Sequence, residues 1–449
     1  MINTPQTDML VYCPDPTPRL AYVLDFISEE MLMDRAVICQ DMNTFLHFEG
    51  VRINYSEQDF EGLYHTIRPH GLLRETGIAV QEIKMGRWKN LPVFFIRQQA
   101  GLSFDIFAAI FYLLSRYEEY LPHEKDEFGR FSHKASLSFR EGFLDRPLIN
   151  EWLMAWREEL SAIFPTAVFK RRSYRFIPTY DIDMQYSYRG KGWLRNIGGA
   201  ARSLLHGEFK QAIERWKVLR GKMKDPFDAY EWLDALHLYC RVKPIYFFLV
   251  AQKQVGLDKN ISTSYKPFQD LINYYASVYK IGLHPSWQSS VEDGNTILRE
   301  EKEWLEAVSD ISIEKSRQHF IKFRLPGGYQ RLLDSGIQKD YSMGYGTING
   351  FRASVASSFN WFNLETNSTT ALRLYPFCFM EVNAFFEQKL TPQQVYTELM
   401  KYYVAVKKVQ GIFITIWHNN YLGSDPKYAG WRDLYEIFMK EDAYWDAVG

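Results

Sequence analysis

From about residue 172 the chain alternates between short apolar runs and amphipathic stretches, and this alternation constrains the fold more than any other feature. Strands are expected at Arg175–Tyr180, Pro244–Val250, Lys280–Leu283, His319–Phe323, Leu372–Phe379 and Gly411–Ile416. Helices are expected between them at Asp228–Cys240, Pro267–Val278, Thr296–Val308 and Thr391–Val409. Runs of strand length separated by helix-period stretches read as βα units. Repeated β-then-α connections give parallel strands with right-handed crossovers, so the fold is α/β, either a doubly wound sheet or a (β/α) barrel. Both architectures gather their chemistry at the carboxyl ends of the strands.

The first third has a looser α/β pattern. Strands are expected at Met9–Cys13, Arg35–Cys39, Val51–Tyr55 and Leu91–Ile96, and helices at Arg19–Ile27, Phe104–Tyr120 and Pro147–Ile163. A chain of 449 residues is expected to divide among more than one core. The expected division is therefore a smaller N-terminal α/β domain over 1–165 and a larger domain over 172–449. His65, His70, His123 and His133 lie in the first part with no acidic or cysteine partner at ligand spacing, and read as solvated or structural.

Lys+Arg is 53 and Asp+Glu 54, a net charge of −1, which argues against a dedicated nucleic-acid binder. Cys13, Cys39, Cys240 and Cys378 form no C-x-x-C pair, so reduced thiols are expected rather than a disulfide framework or zinc knuckle. The first residues lack a basic segment followed by an apolar one. The longest apolar stretch, Phe104 to Leu114, is far short of the roughly 20 residues that span a bilayer. A cytoplasmic location follows as an expectation. Aromatics at 16% suit a large core, and also sugar-stacking surfaces.

Three strand ends in the second part finish in proton- or metal-competent residues. The first strand runs into Asp181 and Asp183, whose period-2 spacing points both carboxylates the same way. Two like charges that close are costly unless a cation lies between them or one shifts its pKa. The second strand ends in His284, followed by Pro285-Ser-Trp-Gln288, and the third in Trp417-His418. Converging on one mouth, these groups meet the needs of metal-assisted hydrolysis. A carboxylate and a neutral imidazole hold a divalent cation with open positions, a second carboxylate takes a proton from water, and another histidine donates one to the leaving group.

On these residues the region from about 172 to the C-terminus resembles the polysaccharide deacetylase family, of the chitin- and peptidoglycan-deacetylase type. Thr179-Tyr-Asp-Ile-Asp183 resembles the first family motif, Gly282-Leu-His284-Pro-Ser-Trp-Gln288 the second, and Ile416-Trp-His418 the last. Ser316-Arg-Gln-His-Phe320 stands where the third motif places an arginine, and Asp340-Tyr-Ser-Met-Gly-Tyr345 stands for the fourth. The resemblance implies a distorted (β/α) barrel that removes N-acetyl groups from amino sugars with a bound divalent metal, taken as zinc. It implies Asp181 as general base, His418 as general acid and Arg317 as the group orienting the base. Asp183 and His284 become metal ligands. The family's second metal histidine is Gln288 here, a poorer ligand, and His319, two residues along the expected strand from Arg317, is the candidate replacement. Trp287, Tyr345, Arg352 and Trp417 are expected to meet substrate. The implied substrate is an amino-sugar glycan or glycolipid of the cell envelope, lipid linkage included.

The whole chain also resembles a bacterial subgroup of that family with an extra N-terminal domain, carried on the helix Ser103–Tyr120, which lends an architecture rather than a substrate. Two other readings remain open. Gln288 favours a catalytically degenerate fold that binds glycan as a scaffold. Asp181 with Glu381, a strand-end carboxylate equally suited to capping the next helix, would make a glycoside hydrolase. Gly344–Gly350 is glycine-rich but lacks the lysine of a P-loop.

Residues 189–224 hold ten Lys/Arg against two Glu, a local net charge of +8. Trp193, Leu194, Ile197, Leu204, Leu205, Phe209, Ile213, Trp216 and Leu219 thread this basic insertion at near-helical spacing. The economical reading is a solvated basic helix packed on its apolar face. The functional reading is peripheral contact with the inner membrane or with a lipid-linked glycan.

Overall fold

The computed structural model describes residues 7–97, 101–291 and 294–448. Strands β1 (Thr7–Tyr12), β2 (Arg35–Cys39), β3 (Val51–Asn54) and β4 (His65–Thr66) form a parallel sheet in the order β2-β1-β3-β4. A hairpin of β5 (Gly86–Trp88) and β6 (Leu91–Val93) follows. The apolar stretch becomes the helix Ile106–Leu114, every residue of which is buried, and Asp105 caps it by accepting from the Ala108 N–H. No described helix is long and apolar enough to cross a membrane. All four cysteines are free thiols.

The second sheet holds β7 (Arg175–Ile182), β8 (Ile245–Leu249), β9 (Lys280–His284), β10 (Lys315–Ser316), β11 (Lys339–Asp340), β12 (Phe359–Asn363), β13 (Ser368–Leu374), β14 (Phe379–Met380) and β15 (Ile412–His418). Its order is β12-β13-β11-β10-β9-β8-β7-β15-β14, parallel throughout except the β12–β13 pair. That order is linear. The expected barrel is not closed by a strand ladder among the described residues, because β12 turns back antiparallel and β14 is only two residues long. Irregular chain bridges the seam instead: the Phe377 N–H donates to Met343 O at 3.2 Å, and the Gly350 N–H to Cys378 O at 2.9 Å.

Two expected strands change form. His319–Phe323 is not a strand. Pairing stops at Ser316, and His319–Ile321 is a single 3₁₀ turn with Phe320 at φ 57°. His319 is thus not two strand positions beyond Arg317. The run Leu372–Phe379 breaks into β13 and β14 around Pro376, which cannot donate to a ladder.

Period-2 alternation sorts β7 and β15 into two faces. Tyr180 turns outward, where its hydroxyl lies 2.7 Å from His237 Nε2 and 2.6 Å from the Tyr435 hydroxyl. Trp417 also turns outward, onto Tyr435 of the last helix at 4.5 Å between ring centroids. Thr179 and Asp181 turn inward, with Asp181 in register with His418 of β15.

One hydrophobic core runs through both parts of the chain. Phe111 meets Phe362 of β12 at 5.0 Å, and Tyr22 meets the same ring at 5.1 Å. A buried ion network lies beside this contact. Glu119 accepts from Arg352 Nε at 2.9 Å and Nη2 at 2.6 Å, and from Arg116 Nε at 2.7 Å. Burial alone would raise the Glu119 carboxyl, but the two guanidiniums overcome it and hold the group at about 2. The carboxylate form is therefore favoured by folding, and the stability it contributes is present above about pH 4.5 and is lost as pH falls toward 2. Glu119→Gln is expected to destabilise the protein by about 3–5 kcal/mol at neutral pH, since it strands buried guanidinium charge. Denaturant titration checks this, and the deficit should shrink on acidification through that window.

Candidate metal centre

Asp183 lies one residue beyond β7, His284 closes β9, and His319 sits in the turn after β10. Their donor atoms lie within 4.8 Å of one another. His284 Nε2 is 3.1 Å from Asp183 Oδ1, and His319 Nε2 is 3.5 Å from Asp183 Oδ2. The two imidazoles are almost fully buried, while the Asp183 side chain keeps 23% of its surface exposed.

The other nitrogen of each ring fixes its tautomer. His284 Nδ1 faces the carbonyl of Arg317, which can only accept, so that nitrogen carries the proton. His319 Nδ1 donates to Asp258 Oδ1 at 2.9 Å. Nε2 of both rings is therefore left to face Asp183. Asp258 is itself positioned, accepting from the Trp287 N–H at 2.8 Å. A carboxylate or carbonyl behind each ligand histidine is the arrangement that orients metal-binding imidazoles.

These residues fit a divalent cation. Electron pairs on His284 Nε2 and Asp183 Oδ1 converge at close range, and Asp183 Oδ1 is buried with no hydrogen-bond partner. Without a cation, protons take up part of this charge. Burial disfavours the imidazolium of His319, but Asp183 and Asp258 outweigh it and raise the group to about 9. His319, His418 and the contact with His284 hold Asp183 well below the usual carboxylate range against the opposing effect of burial. A cation would displace the proton between His319 and Asp183.

Two further groups flank the cluster. Asp181 Oδ1 accepts from Arg317 Nη1 at 2.8 Å, and its Oδ2 lies 3.9 Å from His284 Nε2. Arg317 is wholly buried. It also donates to Thr179 Oγ1 at 2.7 Å and Tyr341 O at 3.1 Å, and stacks 4.5 Å over the Phe247 ring. Gly282 allows that stacking, since a Cβ there would meet Phe247 at 2.6 Å and Lys315 O at 2.9 Å. On the opposite side, His418 Nε2 is 3.5 Å from Asp183 Oδ2. Its Nδ1 donates to Glu381 Oε1 at 2.7 Å, and the same oxygen accepts the His418 backbone N–H at 2.7 Å. Burial opposes the charge on His418, yet Glu381 and Asp183 raise the imidazole to about 10.

The structure thus brings Asp181, Asp183, His284, Arg317, His319 and His418 together. Trp287 borders the cluster. Its half-buried ring lies 6.0 Å from Phe128 and 5.8 Å from Phe320, with Lys322 Nζ 4.5 Å over it. Phe128 belongs to the first third of the chain, so that part walls the site. Gln288 donates its backbone N–H to Asp258 Oδ2 at 3.4 Å.

Sequence expectations are corrected at five residues. Trp417 cannot meet substrate, because it occupies the outward face of β15 and is fully buried against the last helix. Arg352 is committed to Glu119 and to Gly344 O in the network described above. Tyr345 is buried against Phe131 and Leu144. Asp340 is fully buried, accepting from the Ser316 and Ser342 hydroxyls, and burial raises it to about 6. Glu381 is fully buried and bound to His418, which removes it as the free partner of Asp181 in a glycoside hydrolase. Asp258 was invisible to sequence reading, lying in a loop after β8 outside every motif. Glu381 carried a signal as a strand-end carboxylate, but its partner could not be read.

Residues 9–165 match the model of a protein family of unknown function, DUF7033. Among curated proteins none matches the chain. Solved structures similar to it include a putative polysaccharide deacetylase from Mycobacterium smegmatis, at 13% identity and TM-score 0.39, covering 61% of this chain and 85% of that one. Another is a polysaccharide deacetylase from Bacillus cereus, at 10% identity and TM-score 0.30, covering 61% and 89%. A third is a CE4 family pseudoenzyme from Bacillus anthracis, at 9% identity and TM-score 0.31, covering 60% and 62%. At those TM-scores the likeness is distant, and what the site can do follows from its own geometry.

Elemental analysis of the purified protein is expected to find about one divalent ion per chain, as a single Asp-His-His set holds one. Asp183→Ala and His319→Ala should each lose it, while Gln288→Ala should retain it.

Proposed function

We propose that the protein is a zinc-dependent hydrolase that removes N-acetyl groups from an amino-sugar glycan or glycolipid of the cell envelope. Asp183, His284 and His319 would hold the ion, and Gln288 would stay outside its coordination. The observation that carries this reading is the flanking pair. A carboxylate clamped by a guanidinium and an imidazole clamped by a carboxylate stand on either side of one ligand cluster. When bound, the cation supplies Lewis-acid polarisation of the acetamide carbonyl.

The chain's own residues do the rest. Arg317 fixes Asp181 Oδ1, so the carboxylate takes the proton of the attacking water at a defined position. The water oxygen bonds to the carbonyl carbon. His418 donates its Nε2 proton to the departing nitrogen as the C–N bond breaks, while Glu381 holds Nδ1–H and stabilises the imidazolium. The Glu381 carboxylate favours the imidazolium form of His418, the form that can protonate an amine before it departs. Trp287, with Phe128 beside it, offers an aromatic wall for a sugar ring.

Asp181→Asn is expected to cut acetate release from N-acetylated chito-oligosaccharides by about 10²–10⁴-fold with the metal retained. Full activity in that variant would remove the mechanism. The competing reading, a glycan-binding scaffold, draws on Gln288, and protein that stays metal-free under added zinc yet binds glycan would favour it.

A further inference from the structure

The basic insertion folds as two packed helices, Trp193–Leu205 and Phe209–Leu219, whose large apolar side chains face outward except for Val218, which is buried. The residues buried in the first helix are polar. Asn196 Nδ2 donates to Tyr188 O at 3.1 Å and Gly192 O at 3.0 Å, and the Ser203 hydroxyl donates to Gln211 Oε1. Arg215 fills the inside of the turn, donating to Asn196 O at 3.1 Å and lying 4.8 Å over the Tyr188 ring. The large apolar side chains point out. Trp193 is 71% exposed, Leu205 86% and Phe209 61%, with Ile197, Ile213 and Trp216 also exposed. The expectation of a basic helix packed on its apolar face is therefore reversed.

So many large apolar side chains exposed on one hairpin mark an interaction surface. Its surroundings select the occupant. Arg195, Arg202, Lys210, Lys217, Arg220 and Lys222 are all exposed around it. Long basic side chains framing tryptophan, phenylalanine and leucine are the composition of a helix lying in the bilayer interface. A second copy of the chain would set +8 against +8, a like-charge contact that opposes association. We propose that the hairpin 192–223 docks on an anionic lipid bilayer, with its apolar face in the acyl boundary and its cations at the headgroups. The first helix of the hairpin begins ten residues after Asp183, beyond the carboxyl end of β7, so docking sets that end of the sheet toward the lipid. The proposal needs no assumption about the chemistry of the metal cluster.

Full-length protein is mixed with phosphatidylcholine vesicles with and without phosphatidylglycerol, and sedimented. Binding is expected only with phosphatidylglycerol, and it should fall with added salt. The double variant Leu205→Glu/Phe209→Glu should bind at least about tenfold more weakly. Its thermal melt should be unchanged, because both side chains are exposed. Arg202→Glu/Lys217→Glu, which spares the apolar face, should also weaken binding. Failure of the wild type to bind, or equal binding by both variants, would overturn the proposal. So would lipid-free self-association that Leu205→Glu/Phe209→Glu abolishes, since a second copy would then cover the face.

Discussion

One buried guanidinium organises the carboxyl ends of the second sheet. Arg317 has no exposed surface, and it reaches β7 through Thr179 and Asp181, the chain after β11 through Tyr341, and the ring of Phe247 on β8. A flat sheet would hold β7 and β10 about 14 Å apart, three strand spacings. A contact of 2.8 Å between their ends is possible only because the sheet curls. A buried arginine is costly where its donors go unmet; here Nε and Nη1 find acceptors on segments distant in sequence, while Nη2 is buried without one. Arg317 thus ties the end of β7 to the chain after β10 and β11, with His284 bonded to its carbonyl and His418 in register with Asp181.

Within that frame, each group facing the centre is held from behind. The carbonyl of Arg317 sets His284, Asp258 sets His319, Glu381 sets His418, and Arg317 sets Asp181. Asp183 is the exception, with one oxygen unpartnered and the most exposed side chain of the Asp-His-His cluster. Oriented, desolvated groups around one partly exposed carboxylate concentrate charge at a single point. Such preorganisation has greater effect in a low-dielectric site than in water.

The sequence was legible where the signal is local. Strand ends carrying Asp181, Asp183, His284 and His418 followed from periodicity, because an alternating pattern places side chains without reference to the rest of the chain. The same logic would have excluded Trp417. It precedes His418 on one strand, so the two must face opposite ways. Long-range partners were not legible. Arg352 follows a glycine-rich loop and looked available, but its partner Glu119 lies 233 positions away. His319 was read on a strand face, whereas it reaches Asp183 from a turn with left-handed backbone at Phe320, a geometry no period describes. Asp258 belongs to no element, and only its tertiary contacts give it meaning.

The basic insertion shows why composition alone misleads for amphipathic segments. A helix with an apolar stripe is normally read as packing that stripe inward. That inference assumes the protein body is the available apolar partner. Here Asn196 bonds to the Tyr188 and Gly192 carbonyls, Ser203 to Gln211 and Arg215 to the Asn196 carbonyl along the inner side, so turning the apolar stripe inward would break these bonds. The hydrogen bonds between the helices therefore hold the hydrophobic face outward, and the fold leaves that face to be covered by something other than its own core.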